Sequence, residues 1–516
     1  MKTYKLLTLL MFVSTLYVGC SDDYLDEAPS KSQGVVPTTI EDIAGLLNDL
    51  RVFSQENSSE LIYSTDDFGI NIDYFNADVN EFTAPVAHEY TWNTEFPALD
   101  ARGTRVWNGE WKKIFNANLV LLALNDVEGT VQEKANLKAE AHFIRAYSYF
   151  LLANTYCLSL KGNEQEMGLP IKRSTSYEET LERASLQDTY DFITEDLEEA
   201  LKINRQLEKF NGLDRIWRAS TVAVNGFAAR YYLALHDYEK AQKYAQDALS
   251  EKSTLINFNT DIVETSIIVN IESDGDPSTS ETAEIYNGDY IVNTSVINDI
   301  FYWTEAYYNR EMSSPIGQLW PSEDLLSTYN ASYDLRYKHF VVENLSYLRG
   351  SDGIGLPLYS QSGYQTVFSH LISGPTAAEM LLIKAECQIR QGSWADGLQT
   401  ANVLRANRID VNAPADVINL SATSQSDALV KVLEERRREL PFVLRWYDLK
   451  RYNSNEDPSD DVDNITRNFY PYSQVTIDHN SSLQTYTLPK GSRRYAHPIP
   501  NQEIITSGGV IKQNEY

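Results

Sequence analysis

Cysteine is nearly absent. The 516 residues hold three, Cys20, Cys157 and Cys387. No Cys-x-x-Cys pair or Cys/His cluster joins them, so a structural zinc site has no ligand set. Histidine is as sparse, with seven in the chain. They are scattered, and no His-Glu-x-x-His is formed. A Gly-x-Ser-x-Gly elbow and a phosphate-cradling Gly-x-x-x-x-Gly-Lys-Ser/Thr loop are also missing. Metal-dependent hydrolysis, serine hydrolysis and nucleotide chemistry therefore have no motif to rest on. Basic residues are in deficit, 44 Lys and Arg against 73 Asp and Glu, for a formal net charge of −29. Such a surface repels nucleic acid and anionic membranes. After residue 20 no apolar run has the length to span a bilayer.

The exception lies at the start. Lys2 and Lys5 precede an apolar stretch from Leu6 to Val18, which ends in Gly19-Cys20. This is the layout of a secretory signal peptide. A small residue before a cysteine is the bacterial lipoprotein cleavage pattern, with Tyr17 standing where Leu is usual. The expectation is a lipoprotein signal peptide at 1–19, lipidation at Cys20, and an acidic tether over 20–40 that begins Ser-Asp-Asp-Tyr-Leu-Asp-Glu. An acyl chain anchors a protein to a membrane without threading it through.

Helical periodicity dominates the rest. Residues 110–125 place Trp111, Ile114, Phe115, Leu119 and Leu122 at three-to-four spacing. Residues 133–157 do the same with Leu137, Ala141, Ile144, Leu151 and Leu152, and 187–203 with Tyr190, Ile193, Leu197, Ala200 and Leu201. Residues 217–250 read as two helices broken at His236-Asp237, and 376–408 repeat the plan with a break at Gly392-Ser393. The two stretches align: Ala229 with Ala385, Tyr238 with Trp394, Ala241 with Gly397, Ala245 with Ala401. Small residues let antiparallel helices approach, and an aromatic after the turn closes the pair. That is the logic of tetratricopeptide units of about 34 residues. The expected fold is mostly α, a tetratricopeptide-like helical-repeat scaffold in one domain over 41–516. Pairs are expected around 110–157, 187–250, 376–408 and 425–451, with long irregular insertions and a few short strands. Cys157 and Cys387 fall within helical patterns as buried free thiols. The run 434–439 reads as a buried ion-pair network, because Glu435 and Glu439 stand one turn apart with arginines between.

The insertions, 54–107 and 254–375, lack a period, and 453–497 reads as loop. Tyr290 to Val292 suits a strand. Asp274-Gly275-Asp276 lacks a complete calcium loop and reads as a turn, and the glycines of 350–355 read as a flexible loop. Binding tends to sit on loops held by a rigid scaffold. The chain carries 33 Tyr and 8 Trp. Tyr and Trp rings pack on the C–H face of a sugar, while planar amides and carboxylates take its hydroxyls. Asp67, Tyr74, Trp92, Asn93, Tyr302, Trp303, Tyr307 and Tyr308 supply both kinds and are the candidate ligand contacts. A glycosidase would need a carboxylate pair at fixed separation, and the sequence singles none out.

A series of blocks resembles the SusD/RagB nutrient-uptake lipoproteins. Cys20 is followed by Tyr24, Leu25 and Asp26. Tyr90-Thr91-Trp92-Asn93, then Trp107, Trp111, Ile114 and Asn118 come next. The helix from Ala139 through Arg145 and Tyr147 to Tyr149 is similar to a family segment, as is Arg183 to Tyr190 leading to Asp196-Leu197. Pro321 to Leu325, Tyr333 to Arg336, Glu379 to Glu386 and Leu404 to Arg408 follow. Glu434 to Leu440, Arg445 to Arg451, Pro498 to Ile504 and Gln513 to Tyr516 complete the order. Pro441-Phe442-Val443-Leu444 departs from the family's acidic-glycine element, and the usual Pro-Gly before the last Tyr is missing. The resemblance implies four tetratricopeptide-like pairs packed on a SusC-like TonB-dependent transporter barrel of the outer membrane. It also implies a cell-surface position, no cofactor, no catalysis, and a ligand, often an oligosaccharide, held by the irregular face and delivered by a lid-like motion. A surface glycan hydrolase and a peptide-binding member of the same family are the alternatives.

Overall fold

The computed structural model describes residues 38–56, 59–77, 83–95, 105–262, 267–271, 281–285, 303–313, 319–342, 358–359 and 370–516. Cys20, Tyr302, the strand expected at Tyr290–Val292, the Asp274–Asp276 turn and the 350–355 loop lie outside them. The chain is mostly helical. Among the described residues, the helices of eight residues or more are α1 (Arg105–Ala123), α2 (Val131–Tyr156), α3 (Leu186–Ala200), α4 (Thr221–Ala234), α5 (Tyr238–Glu251), α6 (Ala377–Arg390), α7 (Trp394–Arg405), α8 (Gln425–Glu439) and α9 (Arg445–Tyr452). Their starts are written in the sequence. Thr130 and Glu133 form a reciprocal capping box on α2, and Ser220, Thr376 and Ser424 cap α4, α6 and α8. Each cap satisfies backbone N–H groups that the helix itself leaves open.

The two aligned repeats end their first helices in the same way. After α4, His236 adopts φ 60°, its N–H donates to Leu233 O at 3.0 Å, and Asp237 N–H donates to Tyr232 O at 2.9 Å. After α6, Gly392 adopts φ 93°, its N–H donates to Ile389 O at 2.9 Å, and Ser393 N–H donates to Gln388 O at 2.8 Å. Both are Schellman turns. Glycine takes the left-handed position freely. His236 takes it at some cost, and its Nε2 bonds Arg451 O at 2.9 Å. The paired alanines Ala229, Ala385, Ala241, Ala245 and Ala401 are all fully buried. At Gly397 a Cβ would stand 2.7 Å from Ala385 O, so α6 and α7 meet with no room between them.

α1 packs on α2, α2 on α3, α4 on α5, α5 on α6, and α6 on both α7 and α8. Two expectations need correction here. α8 and α9 do not form a side-by-side pair over 425–451. α8 lies on α6 and α7, and Arg436 Nε reaches across to Asp448 Oδ2 at 2.9 Å. The reason is the turn 441–444, where Phe442 sits at φ 64° and redirects the chain. On α1, Phe115 and Leu122 are 42 % and 58 % exposed, because the helix turns Trp107, Ile114, Ala117 and Val120 to the core instead. α2 is more enclosed than its periodicity suggests, buried continuously from Phe143 to Tyr156.

The first core runs through α1 to α6 and takes in Ile499 and Ile511 from the C-terminal segment. A second core gathers the irregular parts: 61–75, 86–92, 256–262, 303–312, 319–341, 442–449 and 465–495. Segment 453–497, expected as loop, contains an antiparallel hairpin of Asn464–Phe469 and Gln484–Pro489. The first strand alternates outward and inward, with Ile465, Arg467 and Phe469 facing in. A third, smaller core joins α6, α7 and α8.

Between the cores runs a layer of buried charge. Glu435 is met by Arg336, Arg405 and Arg438. Glu439 is met by Arg336 and Arg408, and Arg408 also holds Glu305 at 2.7 Å. Arg451 bridges Glu386 and Asp448. The arginine and glutamate run is thus a structural network. Cys157 and Cys387 are buried free thiols.

Candidate functional site

The expected contact residues do not form one cluster. Asp67 is fully buried. Arg437 Nε donates to its Oδ1 at 2.7 Å, and the N–H of Phe442 donates to its Oδ2 at 2.8 Å. Asp67 therefore holds the 441–444 turn, and neighbouring Asp66 takes a two-pronged bond from Arg445, both at 2.7 Å. Trp303 is 5 % exposed, edge-on to Phe258 in the second core. Beside it and Thr376 is a cavity of about 20 Å³, room for about one water molecule. Tyr307 and Tyr308 are buried in the first core. Tyr307 donates its hydroxyl to Lys252 O, and Tyr308 stands edge-on to Phe143 at 4.9 Å.

Trp92 is 3 % exposed, and its burial has a local cause. Helix Ala84–Tyr90 ends in a third Schellman turn. Trp92 N–H donates to Glu89 O at 3.3 Å and Asn93 N–H to His88 O at 2.8 Å, with Trp92 at φ 55°. A bulky residue there is strained, and the surroundings repay it. The indole N–H donates to Ser64 O at 2.9 Å, and Arg467 lies over the ring at 4.6 Å and over Tyr90 at 4.0 Å. Arg467 reaches the carbonyls of Tyr63, Thr65 and Tyr90. Burial lowers its guanidinium to about 10, so it stays charged at neutral pH. Asp67, Trp92, Trp303, Tyr307 and Tyr308 thus build the wall and present no face to solvent. The contact role expected of them is not available in this conformation.

Asn93 does reach the surface. It follows the rigid turn at Trp92 and is partly exposed. Its side chain bonds Tyr472, whose hydroxyl also meets Thr91 Oγ1. Tyr472 stacks on Tyr486 with centroids 5.8 Å apart and planes at 25°, and both rings are partly exposed. Tyr486 donates its hydroxyl to Tyr470 O at 3.2 Å. The hydroxyl of Tyr470 in turn bonds Asn76 Oδ1 at 2.9 Å, on helix Ile72–Ala77. Tyr74 lies on that helix, so the backbone brings its position to the same hairpin, although its side chain is outside the described set. Burial pushes the Tyr486 phenol up to about 12, so it remains a neutral donor. The result is an aromatic platform of Tyr472 and Tyr486 with a planar amide at its edge. Tyr472 and Tyr486 were not foreseen. No apolar alternation marks the hairpin, because Arg467 takes an inward position of the first strand.

Among the described residues, no group of three His, Cys, Asp or Glu side chains is placed to hold a metal ion. No described helix is long and apolar enough to cross a membrane.

Two family models match the chain. Residues 23–233 match one described as starch-binding associating with outer membrane, and residues 377–516 match the SusD family. A SusD-like protein of Bacteroides ovatus is 25 % identical over 274 residues, 48 % of this chain and 45 % of that protein. The chain thus spans about half the length of that curated relative. Solved structures share the fold. A SusD superfamily protein from Bacteroides thetaiotaomicron aligns with a TM-score of 0.63 at 16 % identity, over 93 % of this chain and all of the other. A surface glycan-binding protein A from Bacteroides uniformis aligns with a TM-score of 0.60 at 14 % identity, over 92 % of this chain and 99 % of the other. With both ends matched in sequence and the helical frame shared throughout, the chain belongs to the SusD/RagB family.

Proposed function

We propose that the protein captures an oligosaccharide at the cell surface without altering it and passes it to a SusC-like TonB-dependent transporter. It does so from the outer membrane, held by an acyl chain on Cys20. The observation that carries this reading is the partly exposed Tyr472–Tyr486 stack with Asn93 at its edge, set on a lobe that Arg467 and the Asp66/Asp67 ion pairs hold rigid. Such rings supply area against the C–H face of a pyranose, and the amide supplies paired donors and acceptors for its hydroxyls. The glycan-binding neighbour and the starch-binding family description support the ligand class. The acidic surface, −29 in formal charge, favours a neutral sugar over a polyanion.

The test is a glycan array followed by titration calorimetry on the glycan it selects. Tyr486→Ala is expected to weaken binding by about tenfold, the loss of one stacking ring at about 1–1.5 kcal/mol. The glycan should be recovered intact. Unchanged affinity would remove the platform from the site, and cleaved glycan would turn the reading to a hydrolase.

A further inference from the structure

The repeat scaffold contains a cavity unrelated to the aromatic platform. It lies where the C-terminal end of α2 and the loop after it meet the first turns of α3, the end of α4, and α9. Its volume is about 190 Å³, larger than the void of about 150 Å³ that admits a benzene ring. Leu160, Leu235 and the rings of Tyr190 and Tyr447 give it an apolar side.

Its polar side is unbalanced. Tyr190 is 5 % exposed, and its phenol has no hydrogen-bond partner among the described residues. Only its backbone carbonyl is used, by Thr194 and Tyr231. A phenol that opens on a cavity without a protein acceptor is free to donate to whatever occupies it. Lys450 is 4 % exposed and also lines the cavity. Its ammonium donates to Asn154 O at 2.8 Å and Cys157 O at 2.7 Å, closing the C-terminal end of α2. No carboxylate pairs with it among the described residues, and burial lowers its ammonium to about 7, so near neutral pH it exchanges between charged and neutral forms. The other cations of the wall are matched, Arg451 by Glu386 and Asp448 and Lys161 by Glu456. Glu164 accepts the N–H of Gly162. His236 is neutral at physiological pH, since burial lowers its imidazole to about 4. An amine that titrates near neutrality and one unmatched phenol donor therefore border a space of aromatic size, with the Glu164 carboxylate at its exposed edge.

We propose that this cavity is a second binding site, one that takes a small organic carboxylate, with the Tyr190 phenol donating to the carboxylate and Lys450 supplying the opposing charge. The apolar wall selects an aromatic or short aliphatic body, and a bound carboxylate favours the protonated form of Lys450, a coupling that a neutral amide does not offer.

Benzoate and its neutral isostere benzamide test the site by calorimetry on the full mature chain. Benzoate is expected to bind once per chain at millimolar concentration, and benzamide at least about tenfold more weakly. Tyr190→Phe removes only the phenol oxygen, which has no partner in the empty site, so its melting temperature should stay that of the parent. Its affinity for benzoate should fall about tenfold, the loss of one hydrogen bond to a charged acceptor. Lys450→Met would add little, because it also uncaps α2. No benzoate binding, equal binding of benzamide, or unchanged affinity in Tyr190→Phe would each overturn the proposal.

Discussion

Glu435→Gln is the sharpest perturbation of the frame. The substitution keeps the shape, removes one charge and replaces one accepting oxygen by an NH2 that faces guanidinium donors. Glu435 is fully buried, and three guanidiniums converge on it: Arg336 at 2.8 Å, Arg438 at 2.8 Å, and Arg405. Without the carboxylate, Arg336 keeps Asp334 and Glu439. Arg405 is left with the carbonyls of Val417 and Ile418, and Arg438 with Thr328 O and the half-exposed Glu434 at 3.7 Å. Breaking a buried pair from one side costs about 3–5 kcal/mol. A cooperative unfolding entropy of about 2.1 cal/mol/K per residue gives about 1 kcal/mol/K for a chain of this length. The melting temperature should therefore fall by about 3–5 °C in calorimetry. Glu434→Gln, whose side chain is 51 % exposed, should shift it by under about 1 °C. The pH dependence follows from the sign of the shift. Burial alone would raise the Glu435 pKa, but Arg336, Arg438 and Arg405 override it and hold the group well below the usual carboxylate range. A depressed carboxylate contributes stability that is present above its unfolded pKa, about 4.3, and is lost as pH falls through the folded value. The gap between parent and Glu435→Gln should stay level from pH 8 to about pH 5 and close only in strong acid. Equal melting of the two glutamine variants, or a gap that closes near neutrality, would refute the account.

Gly397→Ala should destabilise by about 1–3 kcal/mol, because the new Cβ would stand 2.5 Å from Ile389 Cγ1 and 2.7 Å from Ala385 O. Gly45→Ala, with open space around its Cβ, should instead gain up to about 1 kcal/mol from helix propensity, and thermal melts of the pair read the opposite signs. Cys20→Ser should abolish acylation, read by labelling cells with a fatty-acid probe, and a labelled variant would remove the anchor.

The repeat turns were legible because their chemistry is local. Alanines at matching spacing and a break at His236 and Gly392 are enough to place a helix, a left-handed residue and a returning helix. The charged run 434–439 was legible for the same reason, since one helical turn sets its geometry. The face of α1 was not. Two of its apolar residues, Phe115 and Leu122, point outward, while the core-facing side includes Glu110, Lys113 and Asn118. Those polar residues disguise the buried stripe because their partners, Arg310 and the carbonyls of Gln55, Lys172 and Ser174, come from distant segments. The hairpin at 464–489 was hidden likewise. Its inward positions are Ile465, Arg467 and Phe469, and an arginine in the middle breaks the apolar alternation that marks a strand. Only the assembled carbonyls of Tyr63, Thr65 and Tyr90 make that position tenable.

The same arginine explains why the aromatic candidates divided as they did. A tyrosine or tryptophan in an unpatterned segment has the same identity whether it faces sugar or core, and what separates the two is the partner behind it. Trp92 is drawn inward by Arg467 and Ser64, which fixes the backbone at φ 55° and leaves Asn93, the next residue, at the surface against Tyr472. The wall residue is thus the reason the surface residue is where it is. Asp66 and Asp67 then tie that wall to Arg437 of α8 and Arg445 of α9. Opening these pairs from one side would cost several kcal/mol, which is a large part of a typical folding free energy of about 5–15 kcal/mol. The wall behind the platform is thereby tied to the repeat helices through α8 and α9.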